Sequence, residues 1–332
     1  MHSTTVTSPK RDATARTLTA KISETLRRIP SKFYVDLGDW RRTVVLAGTG
    51  RSGTTWVGDL LNSHNTYRVM FEPFHARKIP LLRDWSYRQY LRPEDTDEIY
   101  LSAARSILSG NIRHSWIDQY NRRIVARRRL IKDIRAQLFL GWIKHHFPEI
   151  QIILLLRHPC AVANSKIKLN WATHLECFLS QPKLMADFLA PFRHIIESAV
   201  DPFERHIVMW CVENYVPLRQ FRDGGLHVAF YEHLCVNPAA EAAELMRVIG
   251  ESYSDQVHRT LERPSAVTRA DSAIRSGSSL TDSWRREVSK DQLERAVSIL
   301  HSFGLDSIYS EASLPHVEGH DAVRRFGASD GH

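Results

Sequence analysis

The segment Gly48-Thr49-Gly50-Arg51-Ser52-Gly53-Thr54-Thr55-Trp56 has the residue types and spacing of a phosphate cradle. Glycines let a backbone turn tightly and come close to a ligand, and the amides of such a turn face an anion. A helix starting behind the turn adds its positive end at the same place. The nucleotide-triphosphatase pattern G-x-x-x-x-G-K-[ST] puts a lysine directly after the last glycine. Here Thr54 follows Gly53, and the cation, Arg51, lies inside the loop. The loop therefore reads as a cradle that is not built for the β/γ pair of ATP. Taken alone, it fits a generic anion-binding turn equally well.

Two further groups could do chemistry. Arg157-His158-Pro159 ends the apolar run Ile152–Leu156, and Ser165 follows eight residues beyond the arginine. A planar guanidinium with a hydroxyl suits a phosphate dianion. The plainer reading pairs Arg157 with a carboxylate and leaves Ser165 as an ordinary helix residue. Glu72, between Phe71 and Pro73, and Lys132 each stand at the end of a predicted strand. A carboxylate there accepts a proton from a hydroxyl group more readily if burial raises its pKa; otherwise it only neutralises Arg51 or Lys132.

Arg51-Ser52-Gly53-Thr54-Thr55-Trp56 resembles the 5′-phosphosulfate loop of sulfotransferases that use 3′-phosphoadenosine 5′-phosphosulfate (PAPS). The strand ending in Arg157-His158-Pro159, with Ser165, resembles the family's 3′-phosphate signature. Tyr231-Glu232-His233-Leu234 and Arg275-Ser276-Gly277 resemble two later family segments, so the matches run in family order from about residue 44 to 305.

The resemblance implies that Gly50, Arg51, Ser52, Gly53, Thr54 and Thr55 hold the 5′-phosphosulfate, and that Trp56 stacks on adenine. A tryptophan in the first turn of a helix fits a core position as well. By the same resemblance Arg157 and Ser165 take the 3′-phosphate, and Tyr231, Arg275, Ser276 and Gly277 complete the donor site. Lys132-Asp133-Ile134-Arg135 lacks the histidine of the cytosolic phenol and steroid branch, whereas Phe71-Glu72-Pro73 resembles the carbohydrate and bacterial branch. Glu72 is then the expected base, with Asp133 next in line, and Lys132 and Arg51 stabilise the leaving oxygen.

The expected activity is sulfuryl transfer from PAPS to a hydroxyl of a carbohydrate, glycolipid or small metabolite, leaving adenosine 3′,5′-bisphosphate. No metal is expected, because no γ-phosphate needs bridging. Two alternatives stay open: a nucleotide or small-molecule kinase with a degenerate phosphate loop, and a non-catalytic basic protein that binds nucleotides or nucleic acid.

These residues need elements to position them. Strands are predicted at Thr43–Gly48, Tyr67–Phe71, Arg129–Asp133, Gln151–Leu156 and Leu226–Tyr231. Helical periodicity lies between them, at Leu138–Phe147 and after Asn237-Pro238. Alternating strands and helices predict an α/β fold, P-loop-like and three-layered, with a roughly five-stranded parallel sheet and ligands at the strands' carboxyl ends. Residues 1–30 read as a mobile arm and 31–315 as a single domain. Helical insertions are expected at about 75–125 and 166–222, shaping an acceptor pocket, and 316–332 as a loose tail.

The 332 residues, 43% of them hydrophobic, can bury a sizeable core. A formal charge of +8 suits an anionic ligand without naming it. The basic run Arg122, Arg123, Arg127, Arg128, Arg129 and Lys132 lacks the interleaved aromatics of a single-strand binder, so a solvated or acidic-acceptor-facing surface is expected and no nucleic-acid partner. The four cysteines are scattered, with no metal-ligand spacing, and read as free thiols. The sequence shows no signal peptide and no membrane-spanning run, which predicts a cytoplasmic protein. Nothing in it fixes an oligomeric state.

Overall fold

The computed structural model describes residues 33–261 and 280–328. Its centre is a parallel sheet of five strands: β2 (Thr43–Gly48), β3 (Tyr67–Phe71), β5 (Arg128–Asp133), β6 (Gln151–Leu156) and β7 (His227–Phe230), in the order β3-β5-β2-β6-β7. Two short strands, β1 (Val35–Asp36) and β4 (Val125–Ala126), pair separately. All five expected strands form, with ends shifted by a residue or so. β2 and β6 are apolar at successive positions because helices cover both faces of the sheet. In register, Val45 lies beside both Ile131 and Ile152, and Ala47 lies beside Asp133.

The helices that matter for the site are α1 (Thr54–Leu61), α2 (Glu98–Leu108), α3 (Leu140–His146), α4 (Pro159–Ile167), α5 (Pro202–Gln220), α6 (Tyr231–Val236), α7 (Pro238–Val248) and α8 (Asp255–Leu261). Two more, α9 (Lys290–Ser302) and α10 (Gly319–Ala328), follow. α1, α4 and α6 each begin just after a sheet strand, so three helix N-termini meet at one edge of the sheet. α5 starts at Pro202, and Asp201 caps it by accepting from the amides of Phe203 and Glu204 at 2.9 and 3.1 Å. It buries Val208, Trp210, Val212 and Val216 together, a pattern that marks a helix inside a core.

Three expectations change. The stretch 75–125 is mostly turns; among its described residues the only α-helix is α2, beside one short turn of 3-10 helix at Pro80–Leu82. Its aromatic and aliphatic residues Ile79, Leu82, Trp85 and Tyr90 nonetheless enter the core. The tail is not loose up to residue 328. Ala322, Val323 and Phe326 form a helical stripe that buries α10, and Phe326 meets Tyr215 edge-on at 5.6 Å. The basic run is not one solvated face: Arg129 is fully buried, paired with Asp36 and bonded to Thr43 Oγ1 and the Leu108 carbonyl at 3.0 Å. Burial of that cation is tolerated because its donors are answered.

Candidate donor-binding and active site

The phosphate loop runs from β2 into α1. Gly53 sits at φ +96°, and a Cβ there would stand 2.6 Å from the Tyr231 ring. Only glycine meets both demands. Arg51 also has a positive φ, 78°, a conformation that costs a non-glycine residue on the order of 1–3 kcal/mol and clusters at functional sites. The Ser52 hydroxyl donates to the Thr49 carbonyl at 2.6 Å, and so does its amide at 3.0 Å. Ser52 therefore braces the loop internally, rather than holding a hydroxyl ready for a ligand. Thr54 opens α1, and Thr55 is half-buried beside it.

The two phosphate signatures, more than a hundred residues apart in sequence, meet. Arg51 Nε donates to Ser165 Oγ at 3.0 Å, and Arg157 Nη1 donates to the Arg51 carbonyl at 3.2 Å. Tyr231 is the hub under them. Its ring lies 4.1 Å from the Arg157 guanidinium carbon and meets Trp56 edge-on at 5.8 Å, while touching Gly53 on another side. Burial pushes its hydroxyl up to about 12. Trp56 belongs to the core cluster on that face of the sheet and is only 8% exposed.

Several positioning residues carried no recognisable signal. Trp210 Nε1 donates to the Arg157 carbonyl at 3.0 Å, and Asn214 Nδ2 donates to Thr49 Oγ1 at 3.2 Å. One helical turn apart on α5, they fix both loops from a single face. Only the four-residue spacing of Trp210 and Asn214 could have pointed to this. The buried Glu232 carboxylate accepts from the His158 amide at 2.9 Å and the Tyr309 hydroxyl at 2.7 Å. His158 stacks on Trp284 at 4.2 Å, and burial lowers its pKa to about 4, so it is neutral. Arg275, Ser276 and Gly277 lie outside the described residues.

Glu72 follows β3, which β5 separates from β2 and its loop; it has φ +43° and is almost fully buried. Its two oxygens accept from Lys132 Nζ at 2.7 Å and Arg135 Nη1 at 2.6 Å. Burial alone would raise the Glu72 pKa, yet Lys132 and then Arg135 outweigh it and hold the carboxyl below its ordinary value. The expected burial-raised base is thus a doubly paired anion. Lys132 is itself lowered, by burial first. Asp133, the second candidate, is fully buried and accepts from the Phe74 and Arg135 amides at 2.9 and 2.7 Å. Burial raises it to about 6. Its oxygens clamp the ends of β3 and β5 together.

A family model for sulfotransferases matches residues 43–255, more than half of the chain. The protein belongs to the sulfotransferase family. That membership removes the kinase and non-catalytic alternatives. Comparison with curated proteins gave no match. Among solved structures, the sulfotransferase domain from the curacin biosynthetic pathway is 14% identical, covering 78% of this chain and 96% of its own, with a TM-score of 0.42. Sulfotransferase STF9 from Mycobacterium avium is 13% identical over 92% of this chain and 83% of its own, at 0.42. Mouse sulfotransferase SULT7A1, complexed with PAP, is 12% identical over 80% and 84%, at 0.41. The family membership is carried by the family-model match over residues 43–255. Among the described residues, no helix is long and apolar enough to cross a membrane.

Proposed function

We propose that this sulfotransferase moves a sulfuryl group from PAPS to a hydroxyl of a carbohydrate, glycolipid or small metabolite, with Glu72 as the base. The carrying observation is the Arg51–Ser165 bond, which makes one anion site of two signatures. In this reading the donor's 5′-phosphosulfate lies on the loop amides, Arg51, Thr54 and Thr55. Arg157 and Ser165 take the 3′-phosphate. Tyr231 positions Arg157, Gly53 and Trp56 through its ring. Arg275, Ser276 and Gly277 complete the donor site only by resemblance.

The reaction forms a bond between acceptor oxygen and sulfur and breaks the bond from sulfur to the oxygen of the 5′-phosphate. Charge builds on that departing oxygen, and in this reading Lys132 and Arg51 stabilise it. The acceptor proton passes to a Glu72 oxygen. While Lys132 and Arg135 are held by Glu72, its basicity is low. Sharing those cations with the sulfuryl and departing oxygens raises it, so proton uptake keeps step with bond cleavage. The carbohydrate-type reading is supported by Phe71-Glu72-Pro73 and by Ile134 standing where the cytosolic branch has a histidine.

The test incubates labelled PAPS and the protein with a metabolite extract and identifies the sulfated product. Affinity for adenosine 3′,5′-bisphosphate is compared with that for AMP and ATP–Mg²⁺. Labelled product and a preference for the bisphosphate are expected; tighter binding of ATP–Mg²⁺ overturns the donor assignment.

A further inference from the structure

The turn-rich stretch between β3 and α2 brings Arg77, Tyr87 and Arg88 against Arg135, which follows β5. Three guanidinium carbons surround the ring of Tyr87: Arg77 at 4.5 Å, Arg88 at 5.4 Å and Arg135 at 5.9 Å from its centroid. An aromatic face attracts each cation by only about 0.5–2 kcal/mol, while the three like charges repel one another. Carboxylates answer part of that charge. Arg135 shares Glu72 with Lys132, and Arg88 pairs with Glu213. Lys166, fully buried beside Glu213 and Arg88, has the Met209 sulfur at 3.9 Å as its hydrogen-bond partner. Arg77 has no carboxylate partner among the described residues. Five cations (Arg77, Arg88, Arg135, Lys132, Lys166) thus stand with three carboxylates (Glu72, Asp133, Glu213).

A second observation points to a ligand at the same place. The donors Arg88 Nε and Arg135 Nε and the ring atom His75 Nδ1 are buried with no hydrogen-bond partner, as are the Glu213 oxygens, which are answered only by the ion pair with Arg88; Arg88 and His75 are less than a tenth exposed. Buried polar atoms of this kind are satisfied in nearly all proteins, so a set of them marks missing partners. The group also borders the chemistry. Arg88 Nη1 donates to the Ile134 carbonyl at 3.2 Å, and Ile134 and the Trp171 ring both lie against Gly50 of the phosphate loop. His174 meets Tyr87 edge-on at 5.6 Å.

From this geometry we infer that the acceptor carries an anionic group near the hydroxyl it offers, and that the arginine cluster around Tyr87 holds that group. The inference rests on the sulfotransferase reading above and narrows its acceptor. Guanidinium forks match the paired oxygens of a carboxylate or a sulfate ester, the chemistry shared by acidic sugars and sulfated ones. Arg77, exposed on the surface, is the member a ligand reaches first.

The test uses protein saturated with adenosine 3′,5′-bisphosphate, so that the donor site is filled. Three probes are titrated calorimetrically: 4-nitrophenyl β-glucuronide, 4-nitrophenyl β-glucoside 6-sulfate and neutral 4-nitrophenyl β-glucoside. At least one anionic probe should bind tenfold or more tightly than the neutral one, and which of the two does so separates carboxylate from sulfate recognition. Arg77→Ala and Tyr87→Ala should each bring that ratio close to one without weakening the bisphosphate. Arg77→Ala, at an exposed position, keeps the test valid if Tyr87→Ala fails to fold. Equal binding of all three probes, binding of none, or a preference that survives Arg77→Ala overturns the inference. The donor reading is judged separately, by bisphosphate against AMP.

Discussion

Arg51 Nε donates to Ser165 Oγ at 3.0 Å, across 114 residues of sequence. The side chain at the centre of the phosphate loop is thereby held on the first helix after β6. Arg157 closes the arrangement from the other side through the Arg51 carbonyl. A ligand with phosphates at both ends would draw donors from both motifs at once.

Discrimination between adenosine 3′,5′-bisphosphate and AMP tests this directly. Losing a charge-assisted contact costs about 1.5–3 kcal/mol, which is roughly a ten- to hundredfold change in affinity. Arg157→Ala should lower bisphosphate affinity by that factor and leave AMP nearly unaffected. A wild-type protein that binds both equally in calorimetry removes the 3′-phosphate assignment.

Tyr231 is expected to act through its ring and not through its hydroxyl. Tyr231→Phe should keep bisphosphate affinity within a few-fold, whereas Tyr231→Ala should lower it strongly. Gly53→Ala should do the same, since its Cβ would meet that ring at 2.6 Å on a backbone at φ +96°. Equal losses in the Phe and Ala variants of Tyr231 would assign the role to the hydroxyl.

Glu72→Gln should cut turnover of bound donor by about 10²–10⁴ while bisphosphate affinity stays close to wild type. It also leaves Lys132 and Arg135 without their counter-charge, so the melting temperature should fall, and turnover must be taken per folded molecule. Single-turnover kinetics decide the matter. If transfer persists at the wild-type rate, Glu72 serves only as the counter-ion of Lys132 and Arg135.

Acid should destabilise the protein in a definite window. Burial holds His158 and His206 neutral, with pKa values near 4 against 6.5 for free imidazole. Below pH 6.5 the unfolded chain takes up protons that the folded chain refuses, so stability falls from pH 6.5 to 4 and is flat in these groups above that. The full window is worth about 3 kcal/mol for each histidine. Glu72, held low, has its contribution above its unfolded pKa and loses it as pH falls through the folded one. Urea midpoints at pH 7.5 and 4.5 should differ less in His158→Phe than in wild type.

Transfer should survive a chelator, because a phosphosulfate donor has no β/γ bridge for Mg²⁺ to span. Activity that disappears in EDTA and returns with Mg²⁺ would contradict the proposed donor chemistry.

The sequence by itself determined the sheet and made the resemblance to sulfotransferases legible. Strand runs such as Val44–Ala47 and Ile152–Leu156 are apolar without alternation, which a buried parallel strand requires. Gly53, Arg51, Arg157 and Ser165 stand out in the sequence because their two motifs are defined by local spacing after a strand. Other features were decided only by the tertiary structure, since they depend on which distant groups become neighbours. The charge state of Glu72 is set by Lys132 and Arg135, sixty and sixty-three positions away, and their Coulomb attraction outweighs the burial that would have made it a stronger base. The role of Tyr231 comes from contact with Gly53, Trp56 and Arg157, which no linear pattern encodes. The cluster around Tyr87 is likewise hidden in sequence. Arg77 and Arg88 lie in an irregular segment that packs Ile79, Leu82, Trp85 and Tyr90 into the core, and Arg135 stands just after β5, nearly fifty positions further on.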